Sequence, residues 1–247
     1  MKTSALTAPS EPKTQRYSIS AFFPCFNEQA ALEPLTRKMV AVLHKLTDDF
    51  EVIIVNDGSD DNTPVIADRL AKEIPQVRVV HHARNSGYGK ALQSGFRAAT
   101  KELVFYTDGD NQFDVEELAD ILPLIASCDI VSCYRLNRQD GPMRKLNAAC
   151  WTRLVCFLFK MKLRDIDCAF KLYRRPIFDN MNLISTGALI DTEVLARATK
   201  KGCSIIQRGV HHYPRQAGNP TGAKLGVIFR AFRELFRLYG IIQRESQ

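Results

Sequence analysis

No apolar run in this sequence approaches the roughly 18 residues that a bilayer-spanning helix needs, which points to a soluble chain or one held only at a membrane surface. CxxC pairs are missing as well. The seven cysteines (Cys25, Cys128, Cys133, Cys150, Cys156, Cys168 and Cys203) are odd in number and scattered. Such a set argues against a disulfide framework or a cysteine zinc site and reads as reduced cytosolic thiols. The first 16 residues, MKTSALTAPSEPKTQR, lack the apolar core of a signal peptide. Their Ser, Thr, Pro and Lys content predicts a disordered tail over 1–16, ahead of one domain over 17–247. There is no internal repeat, no second-domain linker, no groove-binding motif and no aromatic stacking platform. The net charge of +7 therefore favours anionic partners such as phosphate esters or an acidic membrane surface, with no case for nucleic acid.

At 247 residues and 45% hydrophobic content the chain can bury a sizeable core. Its first half alternates strand and helix signals. The runs SISAFFP, FEVIIVNDGS, VRVVHHA and ELVFYTDGD read as strands, and helical stretches follow them at about 28–46, then in TPVIADRLAKEI and GKALQSGFRAAT. Pro64 sits early in its helix, where a missing N–H is harmless. Continuous apolar strands separated by helices predict an α/β fold with a mostly parallel sheet covered on both faces. The second half is less regular. ADILPLIASCD reads as a helix, Asp129–Tyr134 as a strand and the apolar stretch 147–163 as a helix, with IDTEVLARATKKG as another. At the end, Phe229, Phe232, Leu235, Phe236 and Tyr239 recur at helical spacing with Arg230, Arg233 and Arg237 between them, an amphipathic pattern.

In such sheets ligands lie beyond the carboxyl ends of the strands. Three strands end in polar tips, PCFNE, NDGSD and TDGDNQ, which should meet in one crevice. Asp108-Gly109-Asp110 sets two carboxylates around a tight turn, and oxygen donors of this kind suit Mg2+ or Mn2+, with Gln112 as a further neutral oxygen. Alone, such a tripeptide also reads as an ordinary capped turn. Asp114 falls at the start of the next helix. Arg84, Gly87, Gly89 and Lys90 form a basic glycine loop before a helix, an arrangement that admits a phosphate. Walker spacing is missing. His211 and His212 are adjacent on a strand and point opposite ways, which argues against a shared metal.

PCFNE, VNDGSDDNT, RNSGYGKALQSGF, TDGDNQFD and DIDCAFKLYRR occur in one order along most of the chain. That set resembles family 2 glycosyltransferases of the GT-A fold, in the group of dolichyl-phosphate mannose synthase and bacterial polyprenyl-phosphate transferases. The resemblance implies that Pro24, Phe26, Asn27, Glu28 and Asp57 border the nucleotide of a sugar donor, with Arg84 and Lys90 as further donor contacts. Phe26 stands where a tyrosine is common, and Asn56 replaces the first acid of the family's DDGS pattern. Asp108, Gly109 and Asp110 become the diphosphate and metal tip, with Gln112 supporting the metal, and Asp110 is counted among the catalytic residues. Arg135, Arg144 and Arg215 are implied to bind an acceptor phosphate, with Arg138 and Lys145 nearby. Asp165 and Asp167 precede a segment like the family's GFRLYRR, in which Ala169 replaces the usual glycine.

A phosphate acceptor has a second pKa of about 6 and needs no strong general base, whereas an alcohol does. Asp191 and Glu193 lie where inverting relatives keep a carboxylate facing the acceptor. Two apart, they cannot share a helix face, and one of them has the position of an N-terminal dipole or capping acid. The resemblance thus implies an inverting, metal-dependent hexosyltransferase. It would carry a sugar from a GDP-mannose or UDP-glucose type donor to a polyprenyl or dolichyl phosphate. The implied location is the cytoplasmic membrane face, with the apolar 148–163 stretch and the C-terminal helix against the lipid surface. The rival readings are transfer to a soluble or protein-linked hydroxyl, and a non-catalytic nucleotide-sugar-binding module.

Overall fold

The computed structural model describes residues 17–136, 142–214 and 225–245, so the predicted tail over 1–16 lies outside the described residues. Seven strands form one sheet in the order β3-β2-β1-β4-β6-β5-β7. They are β1 (Ile19–Cys25), β2 (Phe50–Asn56), β3 (Val77–His81), β4 (Leu103–Thr107), β5 (Ile130–Leu136), β6 (Phe170–Arg174) and β7 (Ile205–His211). β1, β2, β3 and β4 pair in parallel, as do β5 and β7. β6 runs antiparallel to both β4 and β5. The mostly parallel α/β architecture expected from the sequence is therefore present.

The helices are α1 (Leu32–Leu46), α2 (Thr63–Glu73), α3 (Tyr88–Ala98), the short α4 (Leu118–Ile121), α5 (Pro142–Phe159), α6 (Ile190–Lys200) and α7 (Leu225–Arg244). In α1 the buried stripe Leu32, Leu35, Thr36, Met39, Val42 and Leu43 has the helical repeat that the sequence shows. Its start is Leu32, four residues later than expected, because the Glu28 carbonyl accepts from the N–H groups of Ala31 and Leu32 in a preceding turn. The helix expected over 147–163 begins five residues earlier and ends at Phe159. The helix expected across ADILPLIASCD contains a single α turn flanked by 3-10 turns. Pro123, which cannot donate a backbone hydrogen bond, sits at the head of the second of these turns.

An aromatic layer holds one face of the sheet. Phe22 pairs in register with Tyr106, and their rings stack at 5.6 Å; Tyr106 lies 6.3 Å from Tyr173. Phe96 of α3 meets Phe22 edge-on at 5.0 Å and stacks on Phe178 at 4.2 Å. α3 comes this close to β1 because residue 95 is glycine: a Cβ there would lie inside the Phe22 ring's contact distance. Gly95→Ala is accordingly expected to lower unfolding stability by roughly 1–3 kcal/mol through overpacking, read as a lower urea midpoint with an unchanged slope.

Candidate active site

The three polar tips meet, as the strand order requires. Asn27 and Asn111 occupy left-handed backbone at φ 57° and 59°, a conformation asparagine tolerates well, so each chain turns sharply off its strand. The turns are tied together. The Asn27 side-chain oxygen accepts from the Asp60 N–H at 2.9 Å, the Asn27 N–H donates to the Ser59 hydroxyl at 3.0 Å, and the Glu28 N–H donates to the Thr63 hydroxyl at 3.0 Å. The Asn111 amide donates to the Ala31 carbonyl at 3.2 Å. Gly109 packs on the end of β1 so closely that a Cβ would lie 2.5 Å from the Pro24 carbonyl. Pro24 itself is buried in the sheet, whereas Phe26 is 40% exposed at the mouth. Beside it the Cys25 thiol is buried, and burial followed by the charges of Glu28, Asp61 and Asp57 pushes it up to about 12, which makes it inert.

Asp57 is turned inward. Its carboxylate accepts from the backbone N–H groups of Ser86 and Gly87, each at 2.9 Å, and meets the His82 ring at 2.6 Å. The acid expected at the nucleotide thus braces the Arg84–Lys90 loop. Asn56 closes the turn over Ser59, accepting from its N–H at 3.1 Å and its hydroxyl at 2.6 Å. The glycines of the basic loop also have a purpose the sequence did not reveal. A Cβ at Gly87 would lie 2.8 Å from the Thr186 carbonyl, and one at Gly89 would lie 2.5 Å from the Ser185 carbonyl and 2.7 Å from that of Gly187. They admit the 184–187 loop, whose Thr186 carbonyl accepts from the Gly89 N–H at 2.9 Å. Arg84 stands exposed at the rim, and the Lys90 ammonium donates to Gln93 at 3.2 Å.

The acidic centre lies beyond β4. The Tyr88 hydroxyl donates to Asp108 at 2.9 Å, and the Asp110 carboxylate accepts from the Gln112 N–H at 3.1 Å. Burial, then the charge of Asp110, pushes the Asp108 carboxyl up to about 7. The Gln112 side chain is directed to the Tyr213 carbonyl at 2.9 Å, where it anchors the end of β7. Asp114 caps the next 3-10 turn as expected, accepting from the Glu116 N–H at 3.0 Å. Beneath this tip, Asp191 at the first turn of α6 is buried; its carboxylate accepts from the Lys171 ammonium at 2.7 Å and from the Tyr106 hydroxyl. Asp167, two residues beyond the buried Asp165, is exposed to solvent. The surrounding protein, then Asp191 and Asp165, push it up to about 6.

Glu193 is wholly buried. It accepts from the Ile184 N–H at 3.0 Å, the Ser185 N–H at 2.7 Å and the Arg197 guanidinium at 2.8 Å, so it clamps the 184–187 loop instead of facing the crevice. Arg135, expected to fork an acceptor phosphate, forks Asp165 at 2.7 and 2.8 Å. Arg215 and Arg138 lie outside the described residues, as does the Arg144 side chain, while Lys145 is exposed on α5. His211 and His212 do not pair on a common ligand: His211 meets Glu117 at 3.2 Å and His212 packs edge-on against Phe113 at 4.9 Å.

Lys171, Tyr106, Tyr88 and Arg197 were missed in the sequence. Lys171 had left a signal, a cation between Phe170 and Leu172 inside a strand. Among the described residues no three His, Cys, Asp or Glu side chains converge as a ready metal cage. Asp108 and Asp110 nevertheless fit Mg2+ or Mn2+. They are hard oxygen donors side by side, and water and substrate phosphates complete such shells.

The sheet order, the crossing loops and an acidic tip after β4 define a GT-A-like α/β fold. Residues 20–181 match the family model "Glycosyl transferase family 2", and the chain belongs to that family. It is 30% identical over 212 residues to glycosyltransferase AglD of Haloferax volcanii, covering 80% of this chain and 33% of that protein. It is 29% identical over 232 residues to the dodecaprenyl-phosphate galacturonate synthase of Rhizobium johnstonii, covering 92% of this chain and 67% of that protein. To an undecaprenyl-phosphate 4-deoxy-4-formamido-L-arabinose transferase of Aeromonas hydrophila it is 33% identical over 165 residues, covering 66% of this chain and 51% of that protein. The chain thus spans between a third and two thirds of these curated relatives. Glucosyl-3-phosphoglycerate synthase of Mycobacterium tuberculosis, solved with Mn2+, UDP and phosphoglyceric acid, superposes with a TM-score of 0.71 at 18% identity, over 91% of this chain and 79% of that one; it has the same fold.

Two outcomes follow from the site. Asp108 holds its proton more tightly folded than unfolded, so its ionisation destabilises the fold as pH rises from about 3.8 to about 7. Asp108→Asn is expected to raise the Tm of metal-free protein at pH 8, read by thermal melting. Glu193→Gln breaks a buried ion pair and is expected to cost about 3 kcal/mol in a urea titration.

Proposed function

We propose that this chain is an inverting glycosyltransferase that moves a hexose from a nucleotide sugar to a polyprenyl or dolichyl phosphate. The observation that carries the reading is the Asp108–Asp110 pair at the meeting of the strand tips, where an anionic donor would be repelled unless a cation intervened. The printed names of two relatives, a dodecaprenyl-phosphate synthase and an undecaprenyl-phosphate transferase, support the acceptor class.

In this reading Phe26 stacks beside the base at the mouth, Asn27 and Glu28 border the ribose, and Asp57 keeps the Arg84 and Lys90 loop in place for the phosphates. Asp108, Gly109 and Asp110 face the diphosphate, with Gln112 bracing the tip. A divalent cation held by Asp108 and Asp110, Mg2+ or Mn2+, supplies neutralisation of the charge that develops on the leaving nucleoside diphosphate. An acceptor phosphate oxygen forms the new bond to the anomeric carbon from the opposite face, and the old carbon–oxygen bond's electron pair leaves on the diphosphate. Arg144 and Arg215 are assigned to the acceptor phosphate, and Arg135 joins them by exchanging Asp165 for it.

The lipid end of such an acceptor would lie against α5 and α7. Trp151 and Phe232 join these helices edge-on at 5.5 Å, and Phe159 and Tyr239 do so at 5.7 Å. Leu235, Leu238 and Ile242 are buried, while Met143, Leu146, Phe157, Phe232 and Phe236 stay exposed beside Arg233 and Arg237. Among the described residues no helix is long and apolar enough to cross a membrane. An amphipathic, basic face of this kind suits the headgroup layer of a cytoplasmic membrane face.

Thermal-shift titration with GDP and UDP in Mn2+ tests the donor site. At a nucleotide concentration 100 times Kd, one of the two is expected to stabilise by about 2.7 kcal/mol, or roughly 5–10 °C in Tm, and Asp110→Asn is expected to abolish the gain. No shift with either nucleotide would sink the reading, and transfer of labelled hexose to polyprenyl phosphate in anionic vesicles completes the test.

A further inference from the structure

Three consecutive residues at the head of α3 are each tied to a different element. The Gly87 N–H donates to Asp57 after β2, the Gly89 N–H donates to the Thr186 carbonyl, and between them the Tyr88 hydroxyl donates to Asp108 after β4, each at 2.9 Å. The Tyr88 ring is half-buried and packs against the hydrophobic core, so its hydroxyl stands at the end of a fixed arm. The acidic tip is held by other contacts. Gly109 packs on the Pro24 carbonyl, the Asn111 amide donates to the Ala31 carbonyl, and Asp110 accepts from the Gln112 N–H. They set the backbone of the turn and the Asp110 carboxylate, and none involves the Asp108 carboxylate. Among the described residues its one hydrogen-bond donor is the Tyr88 hydroxyl, which meets Oδ1 and leaves Oδ2 without a donor.

A phenylalanine would fill the same space beside the core, so packing accounts for the ring and leaves the hydroxyl to be explained. A carboxylate that turns freely loses that freedom when it binds a cation, and a donor that has already fixed it removes the cost. Partners behind a ligating group act in this way, and changing them costs about 10–100-fold in metal affinity. We propose that Tyr88 is a positioning residue for the cation site: its hydroxyl holds Oδ1 of Asp108 at the head of α3 and leaves Oδ2 for a divalent cation. The inference rests on the donor-site reading above, in which Asp108 and Asp110 hold that cation. Tyr88 also joins two parts of the site. Because it lies between Gly87 and Gly89, a shift of the 84–90 loop carries with it the hydroxyl that sets Asp108. The basic loop and the acidic tip therefore act as one unit, linked by a neutral hydrogen bond.

The test is Mn2+ binding to the full chain with UDP or GDP present, followed by the fall of the free-ion EPR signal. The wild type is expected to bind Mn2+ with one of the two nucleotides. Tyr88→Phe, which removes only the hydroxyl, is expected to weaken that binding about 10-fold or more. Excess Mn2+ is then expected to return the variant's calorimetric nucleotide affinity to within about threefold of the wild type, a rescue that a misplaced loop would not give. Should Tyr88→Phe fail to fold, as read by urea titration, Tyr88→Met, adaptable in packing and likewise without the hydroxyl, carries the same expectation. Mn2+ affinity within about twofold of the wild type in the folded variant would overturn the inference, as would a loss of nucleotide affinity that excess Mn2+ leaves in place. A wild type that takes no Mn2+ with either nucleotide overturns the proposed function and this inference with it, whereas wild-type Mn2+ binding combined with an indifferent Tyr88→Phe overturns the inference alone.

Discussion

Buried anions need partners, and the carboxyl edge of this sheet gathers several. Asp57 is neutralised by two backbone N–H groups and a histidine, Glu193 by two N–H groups and Arg197, and Asp191 by Lys171 and a tyrosine hydroxyl. Each of these pairings also sets a loop or helix in place. Asp57 holds the start of α3, Glu193 holds the loop that rests on α3, and Asp191 ties α6 to the centre of the sheet. Asp108 has a different situation, since it meets a neutral tyrosine hydroxyl and a second carboxylate. The architecture settles these three acids internally and sets Asp108 and Asp110 together at the tip after β4, where burial and then the charge of Asp110 raise Asp108.

Much of this arrangement was legible in the sequence because it depends on local pattern. Continuous apolar runs gave the parallel strands, the polar tips gave the edge at which they meet, and Asp108-Gly109-Asp110 gave the acidic turn packed on the end of β1. Burial that depends on distant partners was not legible. Asp57 and Glu193 read as site acids because polar residues after strands and at helix starts are the usual site residues. Their partners are backbone N–H groups of loops that only the folded chain brings near. Arg135 read as a phosphate fork for a similar reason, since nothing local announces that Asp165, thirty positions on, fills it. Gly87 and Gly89 illustrate the same limit: glycine announces a close approach but does not say to what.

The antiparallel β6 changes the chemistry available to the site. In an all-parallel sheet the strand beside β4 would point its carboxyl end into the same crevice. β6 instead runs away from it, and the chain enters the strand from the crevice side through Asp165 and Asp167. One reversal therefore brings two further acids to the lip and sets Lys171 opposite Tyr106. The positive charge beneath the acids and the negative charge at their surface come from a single short segment.

The clamp made by Glu193 bears on motion as well as on shape. The 184–187 loop has no regular secondary structure, yet the amides of Ile184 and Ser185 end on a carboxylate that is shielded from water. Local opening of that loop would strand a buried charge, so those two amides should exchange with deuterium as slowly as the core strands do. The segment lacks regular secondary structure and is still tied down at two successive amides. The support under Gly87 and Gly89 at the start of α3 would then keep its form without any helix or strand of its own.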